Sequence, residues 1–377
     1  MISNQKHLFN IPEDITYLNC AYLSPQLRSV TAAGHKSVSG KENPWLLTAE
    51  DFFTLTEQTR SLFAELVEAR TDDIAIIPAV SYGVSVAAKN VKVEANQAVV
   101  VLEDQFPSNV YPWRELARDK GAELKTVARP QDDDWTEALL GHIDENTAVV
   151  AVANCHWTDG SIIDLVKLGH RCKEMNAALV IDATQSLGAL PFSVSEVQPY
   201  FVIAASYKWL LGPYSLGYMY VKPDYHEGVP LEHNWINRKH SEDFAGLVNY
   251  RDDFQSGARR FDVGERSNFA LMPMAFAALK QIADWQVPEI ASTLTTMTTE
   301  IAQRATALGL NVAPPHLRAG HLLGIRFPEG VPADLVERLS HNQIYVSVRG
   351  NSIRISPHLY NTEHDIEKLF ETLQASL

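Results

Sequence analysis

Short, uninterrupted apolar runs alternate with amphipathic stretches along most of this chain. Residues 74–78, 98–102, 149–153, 177–182 and 200–205 are dominated by Ile, Val, Leu and Ala. Runs of this kind read as strands buried on both faces, the mark of a parallel sheet. Between them, apolar positions recur near a 3.6-residue period. One helix begins near Ser29, and a second spans 49–68 with Phe52, Phe53, Leu55, Leu62, Phe63 and Leu66 on its period. Further helices are expected from the turn at 79–85 through Val91, after Asn109, and at 165–175, 273–285, 287–308 and 362–373. Residues 1–25 are irregular, with a short strand and turn at 17–25 stopped by Pro25. Strands at 322–327, 344–348 and 352–356 belong to a smaller α+β unit, and the polar, aromatic stretch 231–262 reads as a functional or interface loop. The order predicts an α/β fold. A large domain over 26–280 carries a mostly parallel sheet flanked by helices, and a smaller α+β C-terminal domain covers 281–377 together with 1–25.

Two of the strands end on chemistry. Lys208 stands inside an apolar run that begins at Phe201 and resumes through Tyr218-Met219-Tyr220. Burying an ammonium is costly and lowers its pKa. Such a lysine is paired, works as an amine nucleophile, or snorkels to the surface from a strand end. The run at 177–182 ends in Asp182, which alone could be a helix cap or a loop anion. Ligands in open α/β sheets bind beyond the carboxyl ends of the strands. A strand-terminal carboxylate followed by a strand-terminal amine suits pyridoxal phosphate, whose aldehyde needs an amine and whose pyridine nitrogen needs an acid. The strand, turn and helix around Val80-Ser81-Tyr82-Gly83 offer backbone N–H groups and a helix dipole to a phosphate; an ordinary N-cap serine is the other reading. In Ile353-Arg354-Ile355, alternation puts the isoleucines on one strand face and the arginine on the other. Its planar fork then either grips a carboxylate or pairs with a surface acid.

Composition narrows the partners. Of 377 residues, 46% are apolar and 21% charged, and the net charge is −14 with no basic block. Nucleic acid and anionic membranes are therefore disfavoured as main partners. Cys20, Cys155 and Cys172 have neither metal-like spacing nor a C-x-x-C motif, as expected in a reducing compartment. Residues 1–6 form no apolar signal core, and Lys208 interrupts the longest apolar segment. The expectation is a cytoplasmic protein that neither enters a membrane nor holds a metal. Neither G-x-G-x-x-G nor G-x-x-x-x-G-K-[ST] occurs, which disfavours a nucleotide-binding α/β protein.

The order of the elements, with Asp182-Ala183-Thr184-Gln185-Ser186 and then Ser206-Tyr207-Lys208, resembles the class V aminotransferase family over nearly the whole chain. That family of pyridoxal phosphate enzymes includes cysteine desulfurases and kynureninases. The resemblance implies the pyridoxal-phosphate-dependent transferase-like fold, pyridoxal 5′-phosphate as cofactor, an amino acid as small-molecule substrate, and a homodimer with its site at or near the interface. It gives Lys208 the bond to the cofactor's aldehyde, Asp182 the pyridine nitrogen and Gln185 the ring's phenolic oxygen. Ser81 and Tyr82 match the phosphate-binding pair of a Gly-Thr-Thr turn whose glycine is here Val80. Ser206 and Tyr207 also approach the phosphate. Asn154 lies near cofactor and substrate, and Arg354 pairs with the substrate carboxylate. Ser267 and Asn268 fall where family members send a Gly-Thr-Pro-Asn segment to the neighbouring subunit's phosphate.

Two departures from the family pattern bear on the reaction. Phe106 stands where desulfurases place a histidine over the cofactor ring, as it does in kynureninases; it can stack but cannot move protons. Residues 341–354 contain no cysteine to accept sulfur, and Cys155 reads as a small buried residue. The expected function is an enzyme acting on an amino acid, with transamination ahead of a C–S or C–C lyase or an epimerase. A non-catalytic member of the fold that binds or regulates is the alternative from another class. Among lesser candidates, Arg259 and Arg260 read as surface pairs, His156 and Trp157 as secondary substrate contacts, and His233, His240 and His321 as structural or solvent-facing.

Overall fold

A computed structural model describes residues 1–376. Its strands are β1 (Thr16–Tyr17), β2 (Ile74–Ile77), β3 (Ala98–Leu102), β4 (Glu123–Val127), β5 (Thr147–Ala153), β6 (Ala178–Asp182), β7 (Phe201–Ala205), β8 (Gly217–Val221), β9 (Leu323–Arg326), β10 (Ile344–Tyr345), β11 (Ser347–Arg349) and β12 (Ser352–Ile355). A seven-stranded sheet has the order β2-β8-β7-β6-β5-β3-β4. Its pairings are parallel except those of β8, which runs antiparallel to both β2 and β7. The chain from β7 to β8 contains no crossover helix, so it must fold back as an antiparallel return. Lys208 lies in that return.

Both faces of this sheet are covered, which is why its strands are continuously apolar. Along β3, Val100 and Leu102 join one core with Phe63 and Met272, while Val99 and Val101 join a second core with Val84 and Trp113. The first core is closed by helix α2 (Thr54–Leu66) with Met272–Trp285, against which α1 (Arg28–Gly40) packs. The second is closed by α3 (Val80–Asn90) and Tyr111–Lys120. Gly83 sets the seat of α3: a Cβ there would lie 2.8 Å from the Ile203 side chain and 2.9 Å from that of Ile77. Only glycine lets the helix approach β2 and β7 this closely, and the approach brings its N-terminus to the strand ends.

The C-terminal part has an antiparallel sheet of order β11-β12-β9, backed by helices Val287–Ala307 and Glu363–Gln374. β1 pairs in parallel with β10, tying the start of the chain to this part. Some elements differ from expectation. The stretch 49–68 breaks at Phe53 into a short 3₁₀ turn and α2, because Thr48 and Asp51 form a capping box for the turn. The stretch 344–348 is two strands, β10 facing β1 and β11 facing β12. β4 is an edge strand with mixed burial, so no apolar run announces it. Among the described residues, no helix is long and apolar enough to cross a membrane.

The irregular stretch 231–262 is anchored by a buried ion cluster. Asp262 is 1% exposed and accepts from Arg60 Nη1 at 3.0 Å, Arg60 Nη2 at 2.7 Å, Arg266 Nη1 at 2.5 Å and the Ile76 backbone N–H at 2.6 Å. Arg60 and Arg266 are equally buried. Removing one charge from such a cluster leaves the others uncompensated in low dielectric. Asp262→Asn is therefore expected to cost about 3–5 kcal/mol, read from denaturant unfolding. A cost below about 1 kcal/mol, the range of exposed pairs, would contradict this role.

Candidate active site

The carboxyl ends of β2, β5, β6 and β7 surround a cavity of ≈ 260 Å³ lined by Pro78, Ala79, Ala153, Asp182 and Ala205 among others. Register brings them together: Ala153 pairs with Asp182, and Asp182 pairs with Ile203. Asp182 is the last residue of its strand, with Oδ1 accepting the Thr184 N–H at 3.0 Å. Burial pushes its carboxyl above the ordinary range, against the pull of the Thr184 hydrogen bonds and of Lys208. A cation set against it would restore its charge.

Lys208 reaches the same cavity from the β7–β8 return. It is 9% exposed, and among the described residues its ammonium makes neither a hydrogen bond nor an ion pair. Nζ lies 5.7 Å from the Phe106 ring centre and 5.8 Å from that of Tyr207. Burial first, then repulsion from Arg354, lowers its pKa to about 8; Asp182 pulls the other way. The turn is held by Ser206, whose N–H donates to Leu216 O at 2.9 Å and whose carbonyl accepts from Gly212 N at 2.9 Å. A Cβ at Gly212 would collide with Ser206 Oγ. Ser206 thus shapes the turn from beneath, and Tyr207 and Lys208 form the wall.

The opposite end of the cavity is the N-terminus of α3. No side chain caps this helix, and Val80 and Ser81 line the cavity with their residue-78 and residue-79 neighbours. Uncapped N–H groups and the helix dipole make a natural anion seat. Ser81 is exposed and adds a hydroxyl. Tyr82 points elsewhere: its hydroxyl is buried without a partner, and burial pushes its pKa up.

A second chamber of ≈ 460 Å³ adjoins the first, sharing Phe106, Trp157, Tyr207, Lys208 and Tyr214 and adding Arg349 and Arg354. Arg354 is 1% exposed. Its Nη1 donates to Trp157 O at 2.6 Å, while Nε and Nη2 are buried without partners. Burial, then the neighbouring Arg349, lowers its pKa to about 10. Among the described residues no acid pairs with it, so the edge-strand surface pair considered from sequence is absent.

Of the other expected residues, some reach the chambers and some do not. Gln185 lines the first cavity, but its amide already donates to Ala21 O at 3.0 Å and accepts from Trp209 Nε1 at 3.0 Å, leaving one amide hydrogen. Asn154 is not brought into the wall; its Nδ2 donates to Ile163 O at 3.3 Å, and the adjacent Ala153 and Cys155 line the cavity instead. Ser267 Oγ donates to Phe52 O at 3.0 Å and Asn268 Oδ1 accepts the Leu271 N–H at 3.1 Å, and neither lines the two chambers. Arg259 pairs with Glu57 and Asp72, and Arg260 with Glu227. His156 stacks on Trp135 at 5.4 Å, away from the cavity, whereas Trp157 lines both chambers. His321 is fully buried and donates to Gln185 O at 2.6 Å. All three cysteines are buried, and burial raises each thiol's pKa. Sequence reading missed Thr184, Tyr214, Ser215 and Arg349 as wall residues. Nearness in the chain could have suggested Thr184, inside the motif that begins at Asp182, and Tyr214 and Ser215, close to Lys208; Arg349 carried no such signal.

The family model described as "Aminotransferase class-V" matches residues 24–369. An uncharacterized aminotransferase, YcbU of Bacillus subtilis, is 26% identical over 325 residues, covering 85% of this chain and 83% of that protein. Isopenicillin N epimerase of Streptomyces clavuligerus is 23% identical over 339 residues, covering 84% and 83%. Among solved structures, a C-DES mutant with glycine covalently linked to its PLP cofactor superimposes with a TM-score of 0.87 at 18% identity, covering 98% of this chain and 99% of that one. That likeness shows a shared fold.

The amine of Lys208 is predicted to titrate far below an ordinary lysine. Only the neutral amine attacks an aldehyde, so attack is suppressed below the pKa and reaches a plateau above it. Reductive trapping of a small aldehyde, read by peptide mapping, should show the Lys208 rate rising through pH about 8 and levelling beyond it. A rate that keeps climbing toward the ordinary 10.5 would contradict the buried, unpaired placement.

Proposed function

The chain belongs to the class-V aminotransferase family, and from that premise we propose that it is a pyridoxal 5′-phosphate-dependent enzyme acting on an α-amino acid, with transamination as its reaction. The observation that carries this reading is the buried Lys208, which with Arg354 has no acid partner among the described residues, lining one chamber with a desolvated Asp182 and the next with Arg354. Buried polar groups without partners cost stability, and a ligand that satisfies all three removes that cost.

The residues present fit the cofactor. The uncapped start of α3 with Ser81 would hold its phosphate, Asp182 its ring nitrogen, Gln185 its phenolic oxygen through the remaining amide hydrogen, and Phe106 the face of its ring. When bound, the cofactor supplies an aldehyde for the amines of Lys208 and of the substrate, and a ring that absorbs negative charge left at the substrate's Cα. Lys208 then acts as the base that takes the Cα proton and carries it onward. Asp182 keeps its negative charge against the ring nitrogen, a charge-assisted contact in low dielectric. Arg354 orients the substrate by its carboxylate, and Phe106, Trp157 and Tyr214 exclude water.

Two features of the wall support transamination. Phe106 carries no proton, and burial pushes the Tyr207 hydroxyl up, so Lys208 is the base with an accessible pKa. Epimerisation calls for a second proton carrier on the opposite face. Sulfur transfer calls for a reactive thiol, and burial raises the pKa of all three cysteines.

The direct test is reconstitution with pyridoxal 5′-phosphate, borohydride reduction and peptide mapping. The reduced adduct is expected on Lys208 and absent from a folded Lys208→Ala variant; an adduct on another lysine would overturn the assignment. Arg354→Lys keeps the charge and loses the fork. It should lower kcat/KM about ten- to a hundred-fold for α-amino acids and leave amines lacking the carboxylate nearly unchanged. Equal losses on the two substrates would remove the carboxylate role.

A further inference from the structure

The second chamber holds more positive charge than one α-carboxylate satisfies. Its lining includes three cations, Lys208, Arg349 and Arg354, and no Asp or Glu. This occurs in a protein whose net charge is −14. Asp182 lines the first chamber and is not part of the second chamber's lining. The register of β11 on β12 explains the crowding. Ser347 stands opposite Arg354, and Arg349 stands opposite Ser352. Opposed residues of an antiparallel pair point to one face, and so do residues two apart on a strand. Arg349 and Arg354 are therefore diagonal neighbours on the face that lines the chamber, with Cα atoms on the order of 7–8 Å apart.

Arg349 is not neutralised by the protein. Its Nη1 donates to Val348 O at 2.7 Å, its Nε is buried without a partner, and its guanidinium carbon lies 5.3 Å from the centre of the Trp157 ring. Among the described residues it has no ion pair. The guanidinium thus lies within cation–π range of Trp157, and Arg349 lines the chamber. Two guanidinium groups this close repel each other, and Arg349 contributes to the lowered pKa of Arg354. A substrate with a single carboxylate relieves one of them. A substrate with two anionic groups relieves both.

We infer that the substrate is an amino acid bearing a second oxyanion on its side chain, which Arg349 receives while Arg354 holds the α-carboxylate. This rests on the proposed reading of the site as one for an α-amino acid, and it adds the substrate class. Phe106, Trp157 and Tyr214 would pack the side-chain carbons between the two charges.

The test uses holoenzyme and ligands that bind without turnover. A 2-methyl amino acid has no Cα proton for Lys208 to take. Dissociation constants of 2-methylglutamate and 2-methylaspartate are measured calorimetrically against 2-methylglutamine, which has similar shape but no second charge. Wild type should bind at least one of the acidic ligands about ten- to a hundred-fold more tightly than the amide. Arg349→Gln should bring that ratio to about one while changing affinity for the amide by no more than about threefold. Arg349→Lys should restore part of the ratio, as a charge without the fork. A wild-type ratio near one, or a ratio that survives Arg349→Gln, overturns the inference. If the borohydride adduct on Lys208 is intact in that preparation, the reading of the site as an amino-acid site still stands. If the adduct is missing, that reading fails, and this inference fails with it.

Discussion

The structure turns on the burial of cations that the protein does not pair. Lys208 and Arg354 are buried and Arg349 half-buried; all three line the second chamber, and among the described residues none has an acid within salt-bridge distance. Other buried charges in the chain are neutralised in clusters, although the buried Arg318 has only a hydroxyl partner, Thr298. Asp262 is enclosed by Arg60 and Arg266, and Asp133 and Asp159 share Arg326. The contrast separates charge held for stability from charge held for a ligand. A charge without a partner in low dielectric survives only where a bound group repays its desolvation or where the surrounding fold tolerates the strain.

The fold supplies that tolerance by over-determining each cation's position. Lys208 is carried by a turn pinned through Ser206 and Gly212 between two strands of the central sheet. Arg354 sits between Ile353 and Ile355, both fully buried in the small sheet's core. Gly83 lets α3 lie close enough to β2 and β7 for its uncapped end to face the same space. The Asp262 cluster fixes the irregular stretch beside β2 by bonding the Ile76 N–H. Site geometry therefore depends on packing at several layers rather than on one loop.

Much of this was legible in the sequence, for identifiable reasons. Strands buried on both faces are continuous apolar runs, so the residues that end them stand out: Asp182 and the Lys208 turn were found that way. Arg354 was singled out by the family resemblance, and the alternation of isoleucines around it assigned it a face. What escaped depends on non-local facts. Arg349 joins the site through the register of β11 on β12, and no spacing in the sequence encodes that pairing. Tyr214 and Ser215 enter through the shape of a return with no periodicity. Asn154 was expected in the wall from the family resemblance, yet its amide answers the Ile163 carbonyl, and the neighbouring residues face the cavity. β4 was missed because an edge strand needs no apolar run.

The central claim is that one unpaired lysine and one unpaired arginine are set to hold the two ends of a cofactor–amino acid assembly. A crystal structure of the protein loaded with pyridoxal 5′-phosphate and 2-methylglutamate tests it most directly. The account predicts the cofactor's phosphate at the start of α3, its ring nitrogen on Asp182, and the ligand's α-carboxylate on the free nitrogens of Arg354. A cofactor phosphate lodged elsewhere, or an α-carboxylate that leaves Arg354 unpaired, would contradict it.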